Sequence, residues 1–167
     1  MVSDARLGSA IVAKMVTESI LIAKATPESD LVAAIASRIV SSGPPLQDFT
    51  GVRWMVANII SDLKQSQDSH ETLAIGVDLY KMLTAFYFRS RNQWGVSKKM
   101  TPRLLETLDP GINEKFHLAF SKLFSLGNAD LVIQLAEDLL QVVGGPIHED
   151  FKMNYPAQAR LTITRAI

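Results

Sequence analysis

Apolar side chains recur every three or four residues through most of this chain, and proline and glycine cut that recurrence into pieces of helical length. This is the trace an amphipathic helix leaves in a sequence, and repeated several times it argues for a helical bundle. Leu7, Ile11 and Met15 predict a short helix over residues 6–17. Leu31, Val32, Ile35 and Ile39 predict the inward face of a second over 28–42, stopped by Gly43-Pro44-Pro45. A third spans 47–66 on Val52, Val56, Ile59, Ile60 and Leu63. Ser69 is placed to cap a long helix reaching about residue 92. Its stripe of Leu73, Val77, Tyr80, Leu83 (or Thr84) and Tyr87 is broadened by Leu79, Phe86 and Phe88, and so wide an apolar arc marks a central helix.

Thr101-Pro102 and Asp109-Pro110 each join a capping side chain to a proline suited to the first helical position. They predict two further starts, one carrying Leu104, Leu105 and Leu108, the other Ile112, Phe116, Phe120 and Leu123. Gly127 ends the latter, and Asn128 caps a last helix lined by Val132, Leu135, Ala136, Leu139 and Val143 until Gly144-Gly145-Pro146. Two segments depart from this period. Ser19–Lys24 is a short branched apolar run bounded by Thr26-Pro27, a strand or a buried connector. Residues 152–167, ending LTITRAI, lack a helical pattern and read as an extended or frayed tail. The expected fold is mainly α: a single domain over 1–167, with a bundle of five to six helices over 27–151, at most one short strand near 19–24, and an extended C-terminal tail. A chain of 167 residues suffices to bury such a core without cross-links.

Composition narrows the chemistry. Hydrophobic residues make up 47% and charged residues 20%, a globular balance. The absence of cysteine excludes disulfides, thiolate metal sites and cysteine nucleophiles. Seventeen basic and seventeen acidic side chains leave no net charge to steer nucleic acid or anionic lipid, so neither nucleic acid nor membrane is an expected partner. No apolar run approaches the roughly 20 residues of a membrane span. The N-terminus lacks a basic stretch followed by an apolar one, and a cytoplasmic protein is the expectation.

Catalytic patterns are absent. His70, His117 and His148 lie far apart, and none has a histidine partner one turn away. Glu137-Asp138 and Glu149-Asp150 are adjacent pairs, which on a helix diverge rather than converge on one metal. No Walker loop, GxGxxG, HExxH or GxSxG occurs, and Arg89 and Arg91 lack the histidine of the RxxxxH motif of helical RNases. No metal and no cofactor are expected, and no enzymatic activity of the chain on its own.

The charges are nonetheless uneven. Between Asp78 and Glu106 stand Lys81, Arg89, Arg91, Lys98, Lys99 and Arg103, with no acid among them, whereas residues 104–151 carry eight acids against Lys115 and Lys122. Part of this window opposes the negative end of the long helix, where Arg89 and Arg91 each contribute about 0.3–1 kcal/mol. The rest surrounds a helix start, where free N–H groups and the dipole favour an anion. A phosphate or carboxylate held by Ser97, Lys98, Lys99 and Arg103 is one reading; a solvated bundle end is the other. Trp94 stacks on a base or plugs the bundle end, while Trp54 belongs to the core. The candidate ligand set is Arg89, Trp94, Ser97, Lys98, Lys99 and Arg103, with Asp62 as a polar partner.

The motif order carries a resemblance. Gly43-Pro44-Pro45-Leu46 is followed by Arg53-Trp54 and Asp62-Leu63, then Phe88-Arg89 near the end of the long helix. Trp94, Ser97-Lys98-Lys99, Pro102-Arg103-Leu104-Leu105 and Asp109-Pro110 come next, and Gly144-Gly145-Pro146 precedes Phe151. Over about residues 20–152 this resembles the helical C-terminal domain of bacterial nucleotidyltransferases of the DNA polymerase beta superfamily, kanamycin nucleotidyltransferase-like. The resemblance implies that residues 1–26 are the remnant of a preceding catalytic domain. That family's Gly-Ser precedes paired metal-binding acids; here Gly8-Ser9 runs into AIVAKMV with no acid before Glu18. It thus implies the helical architecture without the activity: a non-catalytic binding module contacting a small molecule, a nucleotide phosphate or a partner protein. The alternatives are the substrate-binding subunit of a split nucleotidyltransferase, completed by a separate catalytic subunit, or a structural homodimer. SILIAK would be an unpaired apolar edge, open to LTITRAI, to a second copy or to that catalytic subunit.

Overall fold

The computed structural model describes residues 1–152 apart from Leu7, Leu21, Ala23, Ser97 and Asp150. The chain is mainly α. Among the described residues there are eight helices and no strand: α1 (Val2–Arg6), α2 (Ile11–Thr17), α3 (Pro27–Ser42), α4 (Thr50–Gln65), α5 (Ser69–Ser90), α6 (Met100–Leu108), α7 (Pro110–Leu126) and α8 (Asp130–Gln141). That exceeds the expected five to six. The expected helix over 6–17 is interrupted at Gly8, whose φ of +89° suits glycine and few other residues. The N–H groups of Gly8 and Ser9 donate to the Ala5 and Asp4 carbonyls and close α1.

Local side chains set the other boundaries. Thr26 and Ser29 form a reciprocal capping box at α3, with Pro27 at its first position. The Asp48 carboxylate accepts from the Thr50 N–H (2.9 Å) and hydroxyl (2.6 Å) at the head of α4. At α5 the cap is Asp68 rather than Ser69. Its carboxylate accepts from the His70 and Glu71 N–H groups, and Glu71 accepts in return from the Gln67 N–H. An acid that accepts two donors and also faces the positive helix end outcompetes the neighbouring serine. Asp109 caps α7 as expected, and Asn128 accepts from the Asp130 N–H at α8.

Helices α4, α5, α7 and α8 enclose the core, with α6 laid across α7. Leu79, Leu83, Phe86, Tyr87 and Phe88 are all buried, so α5 is the central helix its wide arc predicts. Burial of each large side chain there contributes about 1.5–3 kcal/mol. Val56, Ile60 and Leu63 of α4, Leu105 of α6, Phe116, Phe120 and Leu123 of α7, and Val132, Leu139 and Leu140 of α8 complete the cluster. Arg53 ties α4 to the end of α8 by donating to the Gly145 and Gly144 carbonyls at 2.6 and 2.7 Å. Trp54, expected in the core, is only half-buried and stacks on Phe151 with centroids 4.9 Å apart.

Helices α2 and α3 form a separate hairpin. Ala13 and Ala36 are buried where the two meet, small enough for close approach. The larger side chains expected to face inward do not: Met15 is 66% and Leu31 61% exposed, and Ile11 and Val32 are also exposed. A two-helix hairpin has only one seam, and among the described residues no third helix packs closely over the outer part of its apolar stripes. In the connector, Ser19, Ile20, Ile22 and Lys24 adopt neither helix nor strand, and Ile20 and Ile22 are 87% and 98% exposed. The described part of the 19–24 run is therefore neither strand nor buried connector. The expected tail lies outside the described residues beyond Lys152. No helix among the described residues is long and apolar enough to cross a membrane.

Candidate functional site

The structure divides the basic window in two. Its first half is spent on joining the hairpin to the bundle. The carbonyl of Val40, in the last turns of α3, would ordinarily accept from the N–H four residues on, but that residue is Pro44, which has none. The Trp94 indole N–H supplies the missing donor at 3.1 Å. Trp94 is only 6% exposed, so it plugs the bundle end and offers no face to a base. Arg89 donates to the Gln47 side chain and the Pro45 carbonyl, both at 3.2 Å. Its guanidinium lies against Gly8, where a Cβ would come within 2.9 Å of it. Asn92 fills the space beside Gly43, whose missing Cβ would sit 2.8 Å from the amide nitrogen. Trp94 and Arg89 thus bracket the hairpin to the bundle, while Arg89 keeps one buried guanidinium nitrogen, Nη1, without a hydrogen-bond partner among the described residues.

Arg91 is also engaged. Its guanidinium sits 3.8 Å above the Tyr87 ring, and the Tyr87 hydroxyl donates to Asp109 at 3.1 Å. Burial raises the pKa of Tyr87, and the Asp109 hydrogen bond adds to the effect. The Asp109 carboxyl lies below its ordinary value because the Ile112 N–H donates to the carboxylate, with help from Tyr87 and from the charge of Arg91. Lys81 pairs with Asp78 at 3.2 Å, but both side chains are about 70% exposed, and such pairs contribute little.

The second half of the window is different. Ser97 lies outside the described residues. Lys98 holds a left-handed backbone (φ +54°), and its carbonyl accepts from the Thr101 N–H at 3.1 Å. Thr101 is not the N-cap. Helix α6 begins one residue earlier, at Met100, and the buried Thr101 hydroxyl donates to the Val96 carbonyl, tying the helix to the loop before it. Lys98, Lys99 and Arg103 are exposed and make no ion pair with a described residue. The nearest hydrogen-bonding contact of Arg103 is the Met100 sulfur, 3.9 Å away. Asp62 does not join them. The Ser66 and Thr72 hydroxyls, 3.1 Å apart, set the end of α4 beside the start of α5. Asp62, one turn earlier on α4, is therefore roughly 20 Å along the axis from Arg89, at 1.5 Å per residue.

Two clefts flank Gly95 and Val96. One, of about 390 Å³, opens between α2 and α6 and is lined by Ile11, Met15, Met100 and Leu104, with Lys14, Glu18 and Arg103 charged at its edge. The other, of about 460 Å³, lies between α5, α7 and the loop. Val77, Tyr80, Thr84 and Ala85 of α5 line it with Phe124 of α7 and Val96 of the loop, and Lys81 and Lys98 are its only charged residues among those described. The Tyr80 ring is held edge-on to Phe116 and Phe120, and burial raises the pKa of its hydroxyl, which stays protonated. Sequence reasoning missed this cleft. Its signal was the stripe Val77–Tyr80–Thr84, assigned to the core although the stripe is wider than the partners around α5 can cover. Among the described residues no group of three or more His, Asp or Glu gathers as metal ligands would.

Two outcomes follow for the hub. Trp94→Phe leaves the Val40 carbonyl unpaired and costs about 1–3 kcal/mol in urea unfolding. Hydrogen exchange then shows α2–α3 amides losing protection while those of α4–α8 keep it; uniform loss would refute the bracket. The stabilisation from Asp109 is complete above the unfolded carboxyl's pKa of about 3.9 and fades as pH falls through the lower folded value. Asp109→Asn therefore lowers stability at neutral pH and flattens the acid limb of a stability–pH curve; an unchanged acid limb would contradict the assignment. No family model, curated protein or solved structure matches this chain, so the site rests on its own geometry.

Proposed function

We propose that this chain is a non-catalytic helical binding module that takes a small anionic ligand at the loop joining α5 to α6. One observation carries the reading. Lys98, Lys99 and Arg103 stand exposed and without an acid partner among the described residues, Lys98 lining one cleft and Arg103 the other, while Arg89 and Arg91 are engaged within the fold. Exposed cations around a first helical turn raise the local concentration of anions and hold one by charge-assisted hydrogen bonds. The non-catalytic part rests on the sequence, which offers no convergent set of carboxylates. Calorimetric titration with ATP, GTP and inorganic phosphate tests it. Heat is expected from wild type and not from a Lys98→Ala/Lys99→Ala/Arg103→Ala variant with at least one of these anions or with a monoanionic carboxylate; equal heats, or none from either protein with any of them, dispose of the site.

A second reading is favoured by the hairpin. Met15, Ile20, Ile22 and Leu31 expose apolar surface on one short stretch of chain, and clustered apolar surface of this kind marks association sites. The associate is a second copy or, if the nucleotidyltransferase resemblance holds, a separate catalytic subunit bearing the metal-binding carboxylates. Sedimentation of the chain alone and with such a subunit checks this. A concentration-independent monomer in both experiments removes the reading.

A further inference from the structure

We infer that the cleft between α5, α7 and the Gly95–Lys98 loop binds a small amphipathic carboxylate, its apolar body between Val77, Tyr80 and Phe124 and its head at Lys98. This rests on the anion-binding reading above and names the chemical class of the ligand. The volume, about 460 Å³, falls within the roughly 300–1,000 Å³ usual for small-molecule sites.

The walls dictate an apolar body. The Thr84 hydroxyl donates back to the Tyr80 and Lys81 carbonyls at 2.9 and 3.1 Å, and the Thr101 hydroxyl to Val96. Both threonines have thus turned their donors into the protein. Val77, Ala85, Val96 and the Phe124 ring add no polar group. A polar ligand such as a sugar would lose its water here and gain few hydrogen bonds, a net cost for each unpaired group.

The charges dictate the head. Lys81 and Lys98 line the cleft, and among the described residues no carboxylate does. Asp78, 3.2 Å from Lys81 in an exposed pair, offsets part of that charge. Lys98 remains with no ion pair to a described residue, one positive charge for one negative charge. Lys99 and Arg103, which a dianionic phosphate would need, are not among the residues lining this cleft. A monoanion with an apolar tail satisfies both constraints; a neutral lipid leaves Lys98 unused, and a phosphate exceeds the charge on offer.

Octanoate, 1-octanol, octyl phosphate and inorganic phosphate are the probes, titrated into the full chain and followed by amide shifts and calorimetry. Octanoate is expected to move the Thr84, Val96 and Lys98 amides saturably, and octanol to bind roughly tenfold or more weakly, as loss of one charged hydrogen bond requires. Lys98→Ala brings octanoate down to the octanol level, and Lys98→Arg restores it. Ala85→Trp, at an exposed lining position, fills the cleft and abolishes octanoate binding while the melting temperature holds. Equal binding of octanoate and octanol, tighter binding of octyl phosphate, or an Ala85→Trp variant that binds like wild type overturns the inference. Inorganic phosphate or ATP bound without octanoate sinks this inference and leaves the anion site standing; no binding of any probe sinks both.

Discussion

The hydrogen bond from the Trp94 indole to the Val40 carbonyl is the contact on which the arrangement of this chain turns. Gly43-Pro44-Pro45 ends α3 abruptly, and the prolines that stop the helix also remove the donors its last carbonyls would use. A buried carbonyl without a donor is costly, so something distant must reach it. Trp94 does so from the far side of α5, with Arg89 on the Pro45 carbonyl and Asn92 against Gly43 beside it. One short segment after α5 thus fastens the hairpin α2–α3 to the bundle.

That fastening shapes the functional surface. Trp94 is fixed inside, and the Thr101 hydroxyl reaches the Val96 carbonyl two residues further along. Gly95 and Val96 become a partition with a cleft on each side, and Lys98 is turned into the left-handed region above one of them. Six basic residues that look like one charge cluster in the sequence therefore separate into two populations. Arg89 and Arg91 act as hydrogen-bonding and stacking groups at the junction, Lys81 lies in an exposed pair with Asp78, and Lys98, Lys99 and Arg103 make no ion pair with a described residue.

Helix identity was legible wherever a residue's own neighbours decide it. Thr26-Pro27, Asp109-Pro110 and Gly127 mark ends through backbone groups within four residues of them, and α5 announced itself as central through Leu79, Leu83, Phe86 and Phe88. Competition between adjacent candidates was harder to read. Asp68 displaced Ser69 because a carboxylate serves two donors, and α6 starts at Met100, which leaves Thr101 inside the helix with its hydroxyl 3.5 Å from the Val96 carbonyl. Nothing local to Ile11, Met15 or Leu31 says that these side chains stay exposed among the described residues.

The sequence by itself determined the class of the fold, the approximate helix ends and the location of the one acid-free stretch, because periodicity, capping and charge are properties of short segments. Tertiary structure alone decided which of those charges are free, that Trp94 is a bracket rather than a platform, that Asp62 lies far from Arg89, and that Val77, Tyr80, Ala85 and Phe124 share a cleft with Lys98. Each of these depends on which residues distant in sequence meet. The meeting at the hub is governed by an unpaired carbonyl whose partner lies 54 residues away, a separation no local pattern encodes.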